Sequence, residues 1–210
     1  MWLWAIFSTV LLFIMEFVLF AAFIPTAWAD YVARFEHQSL YAWHLDATAT
    51  AIIERGQAWY AALFVHTGIA PWTYELFAPR DDIQPGLGFE RMAHLPLWDW
   101  LRGRLDVIWG AVALALQRLA LLTAWWPFFL LAVLGAIADG LVRRRIRAHG
   151  FHHSSPLAHR IGMGGLLILS IGVLVLLLAP LPLPAVGVPV LALLTAFLSG
   201  LAASQTQSRV

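Results

Sequence analysis

The chain has 210 residues, of which 61% are hydrophobic and only 12% are charged, and its mean hydropathy is +0.77. Soluble domains average about 45–50% apolar and about 25% charged residues, so this composition excludes an ordinary water-soluble protein. The formal net charge is only +1, but every basic residue is an arginine. The sequence contains no cysteine, which excludes disulfide bonds and thiolate-ligated metal sites.

The first predicted element is an N-terminal transmembrane helix in residues 1–25. Residues 3–24 form an apolar run, interrupted by Glu16, that is as long as the roughly 20 residues needed to cross a bilayer. Pro25 ends this run. A cleaved signal peptide is the alternative, because Ala27-Trp28-Ala29 resembles a cleavage site. The absence of a basic residue before the run, and its length, favour an uncleaved anchor.

Residues 26–105 form a segment of a different kind, which is mildly acidic and rich in aromatic residues. Between residues 30 and 67 the apolar positions recur at helical spacing, which predicts one or two amphipathic helices with a break near Arg55 and Gly56. We interpret the whole segment as a periplasmic amphipathic helical region. Its tryptophans either present a contact surface or pack against the membrane: Trp43, Trp59, Trp72, Trp98 and Trp100.

A long second transmembrane helix is predicted in residues 106–142. Only Gln117 and Arg118 interrupt its apolar run, and no turn signal divides it, so one long helix is favoured over two spans. Ionisable groups at membrane depth are costly and usually face protein or water. We therefore predict that Glu16 and Arg118 form an intramembrane polar pair. A proton or ion site is the functional alternative.

A transmembrane helical hairpin is predicted in residues 161–203. Its two apolar runs are separated by Pro180, Pro182 and Pro184, a spacing that a helix cannot accommodate. The remaining residues, 204–210, form a polar tail that follows the last span. These two spans bring the predicted number of transmembrane helices to about four.

The basic loop in residues 143–160 sets the predicted orientation. It carries five of the 13 basic residues, Arg143, Arg144, Arg145, Arg147 and Arg160. Loops rich in arginine remain in the cytoplasm, so this loop and the tail should be cytoplasmic. With four spans both termini are cytoplasmic and residues 26–105 are outside. The predicted fold class is therefore an all-α integral membrane protein with a helical periplasmic segment between its first and second transmembrane helices.

The same arginines are candidates for contact with anionic lipid headgroups or an acidic partner, although topology alone explains their presence. No aromatic stacking platform accompanies them, so we expect no direct binding of nucleic acid. The nearby histidines lack the spacing and the carboxylate of a metal site, and we predict none. Because no nucleophile elbow, phosphate loop or zinc-protease helix is present, we expect no catalytic residue, no cofactor and no enzymatic activity.

The stretch from Ala138 to Arg147, followed by Ser155-Pro156, resembles the integrating conjugative element membrane proteins of bacteria. The matching residues are Asp139, Gly140, Arg143, Arg144, Arg145 and Arg147. The resemblance implies a multi-pass protein of the bacterial inner (cytoplasmic) membrane that serves conjugative transfer machinery of the type IV secretion kind. It assigns no reaction to the family.

The expected role is therefore that of a structural or accessory component encoded by an integrative conjugative element. Its expected partners are the lipid bilayer and other membrane proteins of a conjugation apparatus, with a homo-oligomer as a further option. Two alternatives stay open. One is a small transporter, channel or membrane-embedded enzyme that uses Glu16 and Arg118, and the other is an entry-exclusion protein.

Overall fold

The computed structural model describes residues 23–77, 96–149 and 156–205, with a few helical positions before residue 16. Within these ranges the regular elements are all helices, which confirms the all-α class. A five-residue π-helical stretch, Ala61–Val65, follows the second helix. The α-helices are α1 (Thr26–Trp43), α2 (Asp46–Tyr60), α3 (Ile69–Phe77), α4 (Pro96–His149), α5 (Pro156–Leu178) and α6 (Gly187–Ser204).

Three of these helices are long and apolar enough to cross a membrane. The qualifying stretches are Trp98–Ile146 in α4, Arg160–Leu178 in α5 and Gly187–Ser204, which is α6 itself. They correspond to the second, third and fourth predicted spans, and they indicate a membrane protein. The predicted first span, in residues 1–25, falls largely outside the described residues and stays a prediction.

The predicted break near Arg55 and Gly56 is wrong. The chain breaks earlier, between the end of α1 at Trp43 and the start of α2 at Asp46. Gly56 lies inside α2, and a Cβ atom there would be only 2.7 Å from the Cα of Gln117 in α4. Gly56 is therefore needed because the backbones of α2 and α4 pack closely there. It does not end the helix.

Helix α4 is longer at both ends than the predicted second span. It begins at Pro96 instead of residue 106, and it continues through Pro127 and the arginine run to His149. The connection between α4 and α5 is correspondingly short, and its residues 150–155 lie outside the described part of the chain. Helix α5 begins at Pro156, because proline suits the first position of a helix, where no intrahelical N–H donor is needed.

The chain divides into two compact units. The first comprises Met1–Ala120 and Leu177–Pro184, and the second comprises Leu121–Leu176 and Ala185–Val210. The core of the first unit includes Val107 and Ala111 of α4, against which Ile24 and Ala29 pack. The second unit contains the greater part of the three membrane-length helices.

Candidate functional site

The first candidate site is built around one stripe of helix α1. Three residues spaced four apart on this helix are buried, namely Val32, Glu36 and Leu40. Residues at i and i+4 lie on the same helix face, so Glu36 occupies the middle of the apolar face that packs inside the first unit. A carboxylate in such a position is costly unless a charged group compensates it.

The compensating group is Arg118 of α4. Its Nη2 donates to Glu36 Oε1 at 2.6 Å, and its Nε lies 3.2 Å from both carboxylate oxygens. The two side chains are only 7% and 6% exposed, respectively. Charge-assisted hydrogen bonds of this kind are about twice as strong as neutral ones, and burial excludes the water that would otherwise screen them.

The remaining N–H groups of Arg118 bind the segment that follows helix α5. Nη1 donates to the carbonyls of Leu177 and Ala179 at 3.0 and 2.9 Å, and Nη2 donates to that of Leu181 at 2.9 Å. Helix ends leave carbonyls without intrahelical partners, and the prolines nearby supply no N–H donors. All five guanidinium N–H groups are therefore bonded, and they tie three backbone carbonyls to α4.

Helix α1 also binds the same segment. Glu36 Oε1 accepts a hydrogen bond from the backbone N–H of Leu183 at 3.1 Å. The indole Nε1 of Trp28 donates to the carbonyl of Pro180 at 2.8 Å. We call Glu36, Arg118 and residues 177–183 the arginine clamp. Because its charges are mutually neutralised and its donors are used, the clamp suits a role in fixing the proline-rich turn.

Two further contacts position the clamp. Gln117, which precedes Arg118, bonds through Oε1 to His37 Nε2 at 2.8 Å. The close approach of Gly56 brings α2 against the same turn of α4. Helices α1 and α2 thus both contact α4 at this level, which fixes the rotation of α4 and the direction of the arginine.

Helix α3 joins α4 through aromatic residues. Tyr74 donates its hydroxyl to Asp106 Oδ1 at 2.7 Å, and Trp109 Nε1 donates to Thr73 Oγ1 at 3.0 Å. Burial, the hydrogen bond to Asp106 and the negative charge of Asp106 raise the pKa of Tyr74 well above its usual value. These bonds hold α3 on α4. Several aromatic side chains in residues 26–105 stay largely exposed, including Trp43, Trp72 and Trp100.

The second candidate site is the basic end of the second unit. Arg143 Nε donates to Asp139 Oδ2 at 2.8 Å, one turn away on α4, and both side chains are largely exposed. Arg145 and Arg160 are also exposed, and Arg144 is half-buried. The side chain of Arg147 lies outside what the structure describes, so its predicted contact stays a prediction.

Gly140, in the middle of the family-like motif, packs against helix α6. A Cβ atom on Gly140 would lie 2.5 Å from the carbonyl oxygen of Gly200. Gly200 in turn faces Ala136, which lies one turn before Gly140. A Cβ atom on Gly200 would lie 2.9 Å from the carbonyl oxygen of Ala136. Small residues at this spacing allow membrane helices to approach closely, so the motif glycine has a packing role.

The predicted pair of Glu16 and Arg118 is not tested, because Glu16 lies outside the described residues. The structure gives Arg118 another carboxylate, Glu36, which the sequence reading missed. The available signal was the four-residue spacing that places Glu36 between Val32 and Leu40. Among the described residues, no group of three His, Asp or Glu side chains is placed to hold a metal ion.

A family described as IncC plasmid conjugative DNA transfer protein DtrJ-like matches residues 8–210, which is nearly the whole chain. No curated protein and no solved structure shows a significant match.

Proposed function

We propose that this chain, which belongs to the DtrJ-like family of plasmid conjugative DNA transfer proteins, is a non-enzymatic scaffold in the bacterial inner membrane. It serves a conjugation apparatus of the type IV secretion kind, carried on a plasmid or an integrative conjugative element. The family match over residues 8–210 is the observation that carries this proposal. The role requires other membrane proteins as partners and no direct contact with DNA.

Exposed apolar surface supports a scaffolding role. In residues 26–105, the side chains of Trp43 and Trp72 are 60% and 59% exposed. Aromatic side chains are enriched in protein interfaces, because they bury a large area at a small cost in side-chain entropy. We assign this surface to contact with partner proteins or with the membrane interface, and the membrane-length helices to contact with lipid and partner helices.

The contacts of the arginine clamp support the predicted orientation. Four spans place residues 26–105 and the proline-rich turn on the same side of the membrane. Helix α1 and that turn belong to one compact unit and are joined by the bonds from Trp28 to Pro180 and from Leu183 to Glu36. Both therefore face the periplasm in our proposal, and the arginines after residue 142 face the cytoplasm. A reporter that is active only outside the cell should be inactive when fused after residue 150.

Deletion of the gene in a mating donor tests the function. We expect transfer frequency to fall sharply and to recover when the full chain is supplied in trans. Crosslinking and purification from the donor should recover other membrane subunits of the apparatus. Normal transfer from the deleted donor would refute the proposal, and recovery of a homo-oligomer alone would favour a channel.

Two variants of the experiment address the alternatives. Glu16→Gln removes the ionisable group on which the transporter alternative depends, and it should leave transfer unchanged if the protein is a scaffold. Abolished transfer, with normal protein abundance, would favour the transporter reading. Expression in recipient cells alone should leave incoming transfer unchanged, whereas a block would favour entry exclusion.

A further inference from the structure

Helices α4, α5 and α6 pack together near the last turn of α6, at one pole of the second unit. A Cβ atom on Gly140 of α4 would contact the backbone nitrogen of Ser204 at 3.2 Å, and one on Gly162 of α5 would lie 2.8 Å from that of Ala202. Both contacts involve the last turn of α6, which ends at Ser204. The helix rise of about 1.5 Å per residue then places Arg143 and Arg160 about one turn or less from these contacts along their own helices.

The described charged side chains at this pole are predominantly basic. Arg143, Arg144, Arg145 and Arg160 carry four positive charges, and Asp139 is the acidic group that pairs with one of them. Arg143 keeps 68% of its side chain exposed despite this ion pair. Arginine presents a planar fork of donors that matches the oxygens of a phosphate group, so an exposed cluster of this kind favours phosphate over a single carboxylate.

Apolar side chains close in sequence to these arginines, on the same turns of α4 and α5, are also exposed. They include Leu141, Val142 and Ile146 on α4 and Leu157, Ile161 and Met163 on α5, each between 44% and 67% exposed. Contiguous exposed apolar surface is uncommon on a protein face that meets only water. Positive charge and apolar surface on the same helix turns match a ligand that has an anionic head and hydrocarbon chains, and they fit a soluble acidic protein poorly.

We infer that the pole formed by Arg143, Arg144 and Arg160 binds the phosphate headgroup of an anionic phospholipid, whose acyl chains contact the adjacent apolar residues of α4 and α5. Basic pockets between membrane helices on the cytoplasmic side are suited to such headgroups. The inference rests on the proposed membrane orientation. It does not depend on the scaffolding role.

The test uses the full chain reconstituted in vesicles of phosphatidylcholine, with or without phosphatidylglycerol or cardiolipin. Binding of anionic lipid is measured by native mass spectrometry and by thermal stabilisation. The variant Arg143→Gln/Arg144→Gln/Arg160→Gln should bind anionic lipid more weakly, by about fivefold for each arginine, which corresponds to about 1 kcal/mol per basic residue near the surface. A matched control, Arg34→Gln/Arg55→Gln, removes exposed arginines of α1 and α2 and should keep the wild-type preference.

Added salt provides a second measurement that needs no mutation. The anionic preference of the wild-type chain should weaken as ionic strength rises, because screening acts on exposed charges. Equal affinity for phosphatidylcholine and anionic lipid would overturn the inference. So would a triple variant with unchanged lipid binding, even if that variant lost crosslinks to a protein partner. Failure of the scaffold proposal would instead appear as normal transfer from the deleted donor.

Discussion

The arginine clamp makes a quantitative prediction about stability. Removal of one partner of a buried ion pair costs about 3–5 kcal/mol, because the other charge is left buried without compensation. We therefore expect Glu36→Leu to lower the free energy of unfolding by about that amount, and Arg118→Leu to lower it by more. Arg118→Leu also leaves the carbonyls of Leu177, Ala179 and Leu181 without their donor, at about 1–3 kcal/mol for each that water cannot reach.

The double variant Glu36→Leu/Arg118→Leu separates charge compensation from the backbone bonds. It leaves neither charge unpaired, so its cost should be smaller than the sum of the two single costs by more than about 1 kcal/mol, within the range known for contacting residues. It should still be less stable than the wild type, because the turn carbonyls and the N–H of Leu183 lose their partners. Unfolding by denaturant in mild detergent, followed by tryptophan fluorescence, measures these free energies.

Hydrogen exchange supplies a local measurement of the same prediction. The amide of Leu183 donates to Glu36 Oε1, so its exchange should accelerate in Glu36→Leu. Arg34→Leu is the matched control, because Arg34 is an exposed arginine on α1, where substitutions usually change stability by less than about 0.5 kcal/mol. Single variants as stable as this control, or strictly additive costs in the double variant, would refute the reasoning.

Two further predictions concern other contacts. Gly140→Val should separate α4 from α6 and reduce thermal stability in detergent by several degrees, since a Cβ would lie 2.5 Å from the Gly200 carbonyl oxygen. The control is Gly135→Val, because a Cβ on Gly135 meets nothing within 4 Å. Equal losses of thermal stability in the two variants would contradict close packing at Gly140. Titration of Tyr74 should lower the free energy of unfolding above pH 10. Its pKa is raised in the folded state, so the folded state keeps the proton to a higher pH than the unfolded state does. Denaturant unfolding of Tyr74→Phe across that range should show a smaller fall, and an identical pH profile would contradict a raised pKa of Tyr74 in the folded state.

Much of the membrane architecture follows from the sequence. The apolar runs predicted three helices that the structure also contains, because a helix that crosses hydrocarbon needs only sufficient length and few charges. The ends of those helices were less predictable. Helix α4 extends to His149 because arginine is a good helix former, and a basic run at a membrane boundary does not by itself end a helix. The conjugation setting, expected from a short motif, agrees with the family match over the chain.

The position of the helix break illustrates what local patterns leave open. Gly56 has the local signature of a breaker, but its actual constraint is the backbone of Gln117, which is 61 residues later in the chain. The local sequence does not distinguish a glycine that a turn requires from a glycine that a close helix contact requires. Only the packing of α2 against α4 distinguishes them.

The sequence by itself determined the all-helical class and the positions of three helices long and apolar enough to cross a membrane. Length, apolarity and charge are local properties of each segment, and they decide whether that segment is more stable in lipid or in water. The tertiary structure decided which carboxylate compensates Arg118 and what that arginine holds. Glu36 lies 82 residues before it and the carbonyl of Leu181 lies 63 residues after it. Such a bond depends on how α1, α4 and the proline-rich turn pack together, and no local sequence period records that arrangement.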